Sequence, residues 1–170
     1  EYTRQAPLEV QSFETGNLGR IRKQILDINP QARLMLLMGE RNQMPPDLLA
    51  AGKKTTFGDL MTRDGLTEIR RYADVIGPSN TDLIPRDAKG AWLEPSTLVS
   101  DAHKAGLLVH SYTARPENCF LPAQLRTDAG PTARNPAGMI AEIRRYLDLG
   151  LDGFFTDDPA LGRKAVDSLD

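Results

Sequence analysis

The chain has 170 residues, 40% apolar and 26% charged, with 21 basic against 23 acidic side chains for a formal charge of -2. That length allows one ordinary domain with a real core, and the balanced charge, without a long basic run, excludes an electrostatic footprint for nucleic acid. The longest apolar stretch, 34–38, falls far short of the roughly 20 residues a membrane helix needs. A single cysteine, Cys119, excludes an internal disulfide or a cysteine-based zinc cluster.

The chain opens Glu1-Tyr2-Thr3-Arg4, with neither an initiator methionine nor the apolar core of a signal peptide, and reads as the middle of something longer. Residues 10–13 and 33–38 are short, apolar and closed by turn residues, as strands are. Between them Leu18, Ile21, Ile25 and Ile28 recur at helical spacing until Asn29-Pro30 stops the pattern. A helix over 64–73 follows, with Leu66, Ile69 and Tyr72 on one face, and then a strand at 74–77. The next helix spans 95–105, with Pro95 in its first turn and Gly106 as its stop, and leads into a strand at 107–113. A helix over 136–149 aligns Met139, Ile140, Ile143 and Leu147. After Gly150, residues 153–156 form the last strand, and Asp158-Pro159 starts a closing helix with Leu161, Ala165, Val166 and Leu169 inward.

Five near-continuous apolar strands separated by amphipathic helices indicate an α/β fold, a parallel sheet covered by helices and joined by right-handed crossovers. No domain boundary or internal repeat stands out, so 1–170 reads as a single domain. Two long connections, 39–63 and 116–135, break the rhythm and read as functional or mobile loops. A closed eight-stranded barrel takes about 250 residues, whereas five or six parallel strands complete an open doubly wound sheet. The pattern alone leaves both architectures open, the open sheet being the simpler.

The chemistry-bearing residues cluster at strand ends: Gln11-Ser12-Phe13, Tyr112-Thr113-Ala114-Arg115 and Phe154-Phe155-Thr156-Asp157-Asp158. Arg115 and Tyr112 suit an anion, because a guanidinium offers paired donors to phosphate oxygens and a phenol adds a hydrogen bond or an apolar wall. The alternative is an Arg115 ion pair with Glu117 and a Tyr112 in the core. Asp158 reads as a helix N-cap that would compete with a phosphate for the same N–H donors. Asp157 suits either a hard cation or a tie to a neighbouring strand. His103 on a helix and His110 in mid-strand lack the spacing of a ligand pair. Asp82, Arg86 and Asp87 form a polar cluster that reads equally as a pocket rim or a solvated turn. Neither a Gly-x-Ser-x-Gly elbow nor a Gly-rich phosphate loop occurs.

Residues 10–13 (Val-Gln-Ser-Phe) with Asn17-Leu18, residues 98–106 (Leu-Val-Ser-Asp-Ala-His-Lys-Ala-Gly) with 109–115 (Val-His-Ser-Tyr-Thr-Ala-Arg), and residues 152–159 (Asp-Gly-Phe-Phe-Thr-Asp-Asp-Pro) follow one another in an order that resembles the glycerophosphodiester phosphodiesterases. Glu117-Asn118 and 120–122 (Phe-Leu-Pro) resemble an insert of the family's longer bacterial, often extracytoplasmic branch. The resemblance implies the last five strand-helix units of a TIM-type (β/α)8 barrel, present as a partial barrel. It implies metal-dependent hydrolysis of glycerophosphodiesters to glycerol phosphate and an alcohol, with calcium or magnesium as the divalent cation. The family's His-Arg-Gly motif, its Glu and Asp on the next strand, its second His and its Glu-x-Lys strand do not occur in this sequence. The acid, base and metal ligands are therefore expected on an absent amino-terminal part of the barrel, which is the first partner implied, and the chain alone is expected to be inactive.

What remains for this chain, by resemblance, is the substrate wall: Tyr112, where many relatives carry Trp; Arg115, where many carry Asn; and Phe154, Phe13 and Gln11. Catalytic and metal-ligating residues are expected to be none. A periplasmic or secreted location follows from the branch resembled. The alternatives are a non-catalytic truncated barrel that associates through exposed strand edges as a scaffold module, and a phosphodiester-cleaving lyase of the same barrel type.

Overall fold

The structure, a computed structural model, describes residues 8–168. The opening tetrapeptide and Leu169 of the expected closing-helix face lie outside the described residues. Five strands form: β1 (Glu9–Ser12), β2 (Arg33–Leu37), β3 (Val75–Gly77), β4 (Leu108–Ala114) and β5 (Gly153–Thr156). The eight helices described are α1 (Thr15–Ile28), α2 (Pro46–Ala50), α3 (Phe57–Leu60), α4 (Arg63–Ile69), α5 (Asn80–Leu83), α6 (Leu98–Lys104), α7 (Pro136–Asp148) and α8 (Pro159–Asp167). No helix among the described residues is long and apolar enough to cross a membrane.

Every strand pair is parallel, and strand neighbours follow chain order, β1-β2-β3-β4-β5. This order separates the two architectures the sequence left open. A doubly wound sheet reverses its strand order at a switch point, whereas successive units of a barrel add each strand on the same side of the last. The strand succession is that of a partial TIM-type α/β barrel.

The chain divides into two compact units. The first holds the described residues up to Pro78 with Ser100–Val109, and the second holds Ser79–Val99 with the residues from His110 onward. In the first unit, Leu34, Met35 and Leu36 of β2 are all fully buried, the mark of a parallel strand covered on both faces. Leu18 of α1 and Leu66 and Ile69 of α4 are also fully buried.

Helix α1 has no cap from its own Glu14. Asp47 supplies one from 31 residues away, its carboxylate accepting from the Gly16 N–H at 2.7 Å and from the Thr15 N–H and hydroxyl. Burial pushes the Asp47 carboxyl up, but these bonds and one from the Leu48 N–H outweigh it and hold the group below the usual carboxylate range. The connection 39–63, expected as a loop, contains α2 and α3. Helix α3 is short but closed by a capping box, in which Thr56 accepts from the Asp59 N–H and Asp59 accepts from the Thr56 N–H.

Two helix boundaries depart from the periodicity. Helix α4 ends at Ile69 rather than at 73, because Arg71 and Tyr72 donate to Glu68 and Ile69 in a tightened last turn. Helix α6 begins at Leu98, so Pro95 lies outside it, contrary to the first-turn expectation. Ser96 donates its N–H to the Leu83 carbonyl at 2.8 Å and its hydroxyl to the Asp82 carbonyl at 2.6 Å, which fixes that backbone before a helix can start. Gly106, at φ +79°, adopts the left-handed turn that ends this segment, as its place in the sequence predicts.

In the second unit, α7 and α8 bury Met139, Ile143, Leu161 and Ala165 against Ala114 and Leu121. The buried stripe of α7 runs through Met139, Glu142, Ile143 and Tyr146, whereas Ile140 and Leu147, expected inward, are only half-buried at its margin. Glu142 is thus a carboxylate inside the apolar stripe, 1% exposed.

Candidate active site

A cleft of about 390 Å³ opens in the second unit where β4 ends. Its wall is built from Ser79, Asn80 and Thr81 at the start of α5, Arg86, Tyr112 and Thr113 in β4, Arg115 just after it, and Cys119 and Phe120 beyond. A cleft at the carboxyl end of parallel strands is where α/β barrels carry their chemistry, since the strand bodies fill the core and only their ends reach ligands.

Of the five residues expected to contact substrate, the structure brings Tyr112 and Arg115 together in this cleft. Phe154 is not among its lining residues. It pairs in register with buried Ser111 and packs on the Ala114, Met139 and Leu161 cluster under α7 and α8. Strand alternation decides this, since the neighbouring pair, His110 and Gly153, takes the other face. The missing side chain of Gly153 makes room for the His110 ring, whose Cδ2 would stand 2.8 Å from an added Cβ. Gln11 and Phe13 belong to the first unit and are exposed, Phe13 lying edge-on to Phe57 with ring centroids 6.4 Å apart.

The two guanidinium groups of the cleft are held in different ways. Arg86 donates from Nη2 to Glu142 Oε1 at 2.6 Å and from Nη1 to the Phe120 carbonyl at 2.7 Å. The Tyr146 hydroxyl donates to the same Glu142 oxygen at 2.8 Å. This network is buried, the Glu142 side chain being 2% exposed. Burial pushes the Glu142 carboxyl above its ordinary range even against the bonds from Tyr146 and Arg86. Arg115 pairs instead with Asp157, Nε to Oδ2 at 2.6 Å, where both side chains face solvent, and its guanidinium lies 4.7 Å over the Phe120 ring.

An exposed pair of this kind is worth roughly 0–1 kcal/mol. Breaking a buried pair such as Arg86–Glu142 costs about 3–5 kcal/mol by stranding a charge. Arg115 can therefore exchange its partner for a ligand anion, and Arg86 is fixed in place.

Tyr112 keeps its phenol above the ordinary range, first through burial and then through the nearby negative charge of Asp82. Asp157 holds the neighbouring strand end through Arg115, the second of its two sequence readings, and it is Asp157 rather than Glu117 that Arg115 meets. Asp158 caps α8, accepting from the Leu161 N–H at 3.0 Å, and is paired with Arg134. Its carboxyl is held low by that Leu161 bond first, against the opposing effect of burial and with help from Arg134. That helix terminus is therefore already occupied by a carboxylate.

The polar cluster at 82–87 splits. Asp82 is buried, Arg86 lines the cleft, and Asp87 forms an exposed turn by accepting from the Lys89 and Ala91 N–H groups. His103 is exposed. Among the described residues no three His, Cys, Asp or Glu side chains gather to hold a metal ion. Sequence reasoning missed Glu142, Tyr146 and the Asn118 amide. Asn118 ties the connection 116–135 together by donating to the Thr127 and Gly130 carbonyls while accepting from the Thr127 N–H. The signal for Glu142 was present, as a carboxylate one turn from both Met139 and Tyr146 on an apolar face.

A family model described as the glycerophosphoryl diester phosphodiesterase family matches residues 1–161. Among curated proteins, glycerophosphodiester phosphodiesterase GDPD6 of Arabidopsis thaliana is 30% identical over 111 residues, which is 65% of this chain and 27% of that protein. A crystal structure from Silicibacter pomeroyi DSS-3, of a protein provisionally named a glycerophosphoryl diester phosphodiesterase, superposes with a TM-score of 0.51 at 21% identity. The match covers 94% of this chain and 38% of that one. The chain therefore spans well under half the length of either relative.

Proposed function

Because the chain belongs to the glycerophosphoryl diester phosphodiesterase family, we propose that the cleft at the end of β4 supplies the substrate wall of an enzyme that hydrolyses glycerophosphodiesters to glycerol phosphate and an alcohol. The observation that carries this reading is Arg115, a guanidinium in the cleft paired with the exposed carboxylate of Asp157. A phosphate oxygen can replace that carboxylate at little cost and meet the same paired donors. Tyr112 and the hydroxyls of Ser79, Thr81 and Thr113 suit the polyol end of such a ligand. Gln11 and Phe13 lie in the other unit and Phe154 is half-buried against the α7–α8 cluster, so the reading rests on Tyr112 and Arg115.

The acid, base and metal ligands of the reaction are assigned to residues outside this sequence, on the ground that the His-Arg-Gly and Glu-x-Lys motifs do not occur in it. Calcium or magnesium would polarise the phosphoryl oxygen when bound there. This chain binds and orients, and is inactive by itself.

Titrating sn-glycerol 3-phosphate into the purified chain tests the binding role. Saturable binding is expected, weakened about ten-fold or more in Arg115→Gln, the worth of a hydrogen bond to a charged group. Equal affinity in the two proteins would remove Arg115 from the site.

One observation favours an association role beside this one. Among the described residues β1 pairs only with β2 and β5 only with β4, so each keeps an unpaired edge, and such edges are templates for another chain. Sedimentation is expected to show mass rising with concentration, and a sharp monomer at all concentrations would contradict it.

A further inference from the structure

We infer that Glu142, which does not line the cleft, is a positioning residue for Arg115, acting through Arg86 and Phe120. This rests on the proposed binding role of Arg115. The links are continuous. Glu142 Oε1 holds Arg86 Nη2 at 2.6 Å, Arg86 Nη1 holds the Phe120 carbonyl at 2.7 Å, and the Phe120 ring lies 4.7 Å from the Arg115 guanidinium carbon.

Each link restricts the next. Phe120 is 44% exposed, and its backbone is held from both sides, by its N–H to the Glu117 carbonyl at 3.0 Å and by the Arg86 bond to its own carbonyl, which together place the ring as a platform. A guanidinium stacked on an aromatic face keeps its edge donors free for a planar or tetrahedral oxyanion. Arg86 can do this only because Glu142 and Tyr146 lock it in a single geometry, which an exposed arginine would not keep. Arg86 lends its shape and not its charge to the cleft, because Glu142 neutralises it in place. The ligand anion is thereby left to Arg115.

Destabilisation alone would also weaken binding, so the test separates the two. Glu142→Gln keeps the size of the side chain and removes its charge. The double variant Arg86→Met with Glu142→Leu, made in a Tyr146→Phe background so that no buried hydroxyl loses its acceptor, replaces the buried network by apolar groups, a change that commonly leaves stability intact or improved. Titration with sn-glycerol 3-phosphate, thermal unfolding and the Nε–Hε resonance of Arg115 are read for both and for the unsubstituted chain. The expected result is an affinity loss of about five-fold in both variants, the size of a coupling between groups in contact. The Arg115 resonance is expected to broaden in both, although the double variant melts close to the unsubstituted chain.

Unchanged affinity in the folded double variant would overturn the inference. Should the unsubstituted chain bind no ligand, the proposed function fails, and the Arg115 resonance still decides the positioning role. An unaltered signal in both variants overturns that role, and broadening sustains it.

Discussion

Glu142→Ala is expected to destabilise the second unit by about 3–5 kcal/mol, because it strands the buried Arg86 charge and leaves the Tyr146 hydroxyl without its acceptor. The effect should exceed that of Asp157→Ala, which breaks an equally short but exposed pair worth about 0–1 kcal/mol. Chemical denaturation of the two variants measures the difference. A pH series adds a sign. Burial holds the folded Glu142 carboxyl above its ordinary value near 4.5, so over that interval the folded chain keeps a proton that the unfolded chain has lost. The Glu142 contribution to stability therefore falls as pH rises from the unfolded value through the folded one. Glu142→Gln should lack that fall, and an identical pH slope in both proteins would show that the carboxyl is not perturbed.

The second large effect is expected at Gly65, in the first turn of α4. An alanine at an exposed helical glycine ordinarily stabilises by about 1 kcal/mol. Here the added Cβ would meet backbone, the Asp59 carbonyl oxygen and, at 2.6 Å, both Cα and the carbonyl oxygen of Leu60. Backbone held in the α3 capping box cannot retreat as a flexible side chain would, so Gly65→Ala is expected to cost about 3 kcal/mol, the upper end of overpacking. Gly19→Ala in α1 is the control. Nothing lies within 4 Å of its added Cβ, and it should stabilise by about 0.5–1 kcal/mol. Urea midpoints that move in the same direction for both would contradict the close approach of α3 and α4.

Strands such as β2 could be read from the sequence because a parallel strand covered on both faces is a continuous apolar run between turn residues, as 33–38 is. Their order could not, since the same runs serve an open sheet and a barrel, and the pairing β1-β2-β3-β4-β5 is a tertiary fact. Helix starts set by local caps were legible, as at Asp158. The start of α6 was not, because Ser96 takes its partners from residues 82 and 83. In the site, Tyr112 and Arg115 were visible as polar residues ending an apolar strand. Phe154 was assigned to the pocket wall by family resemblance, whereas its register with Ser111 sets it against the α7–α8 cluster. The partner of Arg115 lies 42 residues away and that of Arg86 lies 56 away. Periodicity carries no information at such separations.

The division of labour proposed for this chain, a substrate wall without the reacting groups, is tested most directly by incubating it with glycerophosphocholine and calcium and measuring release of choline. The expectation is no release above buffer while sn-glycerol 3-phosphate still binds. Calcium-dependent turnover by these 170 residues would contradict the placement of the acid, base and metal ligands outside them.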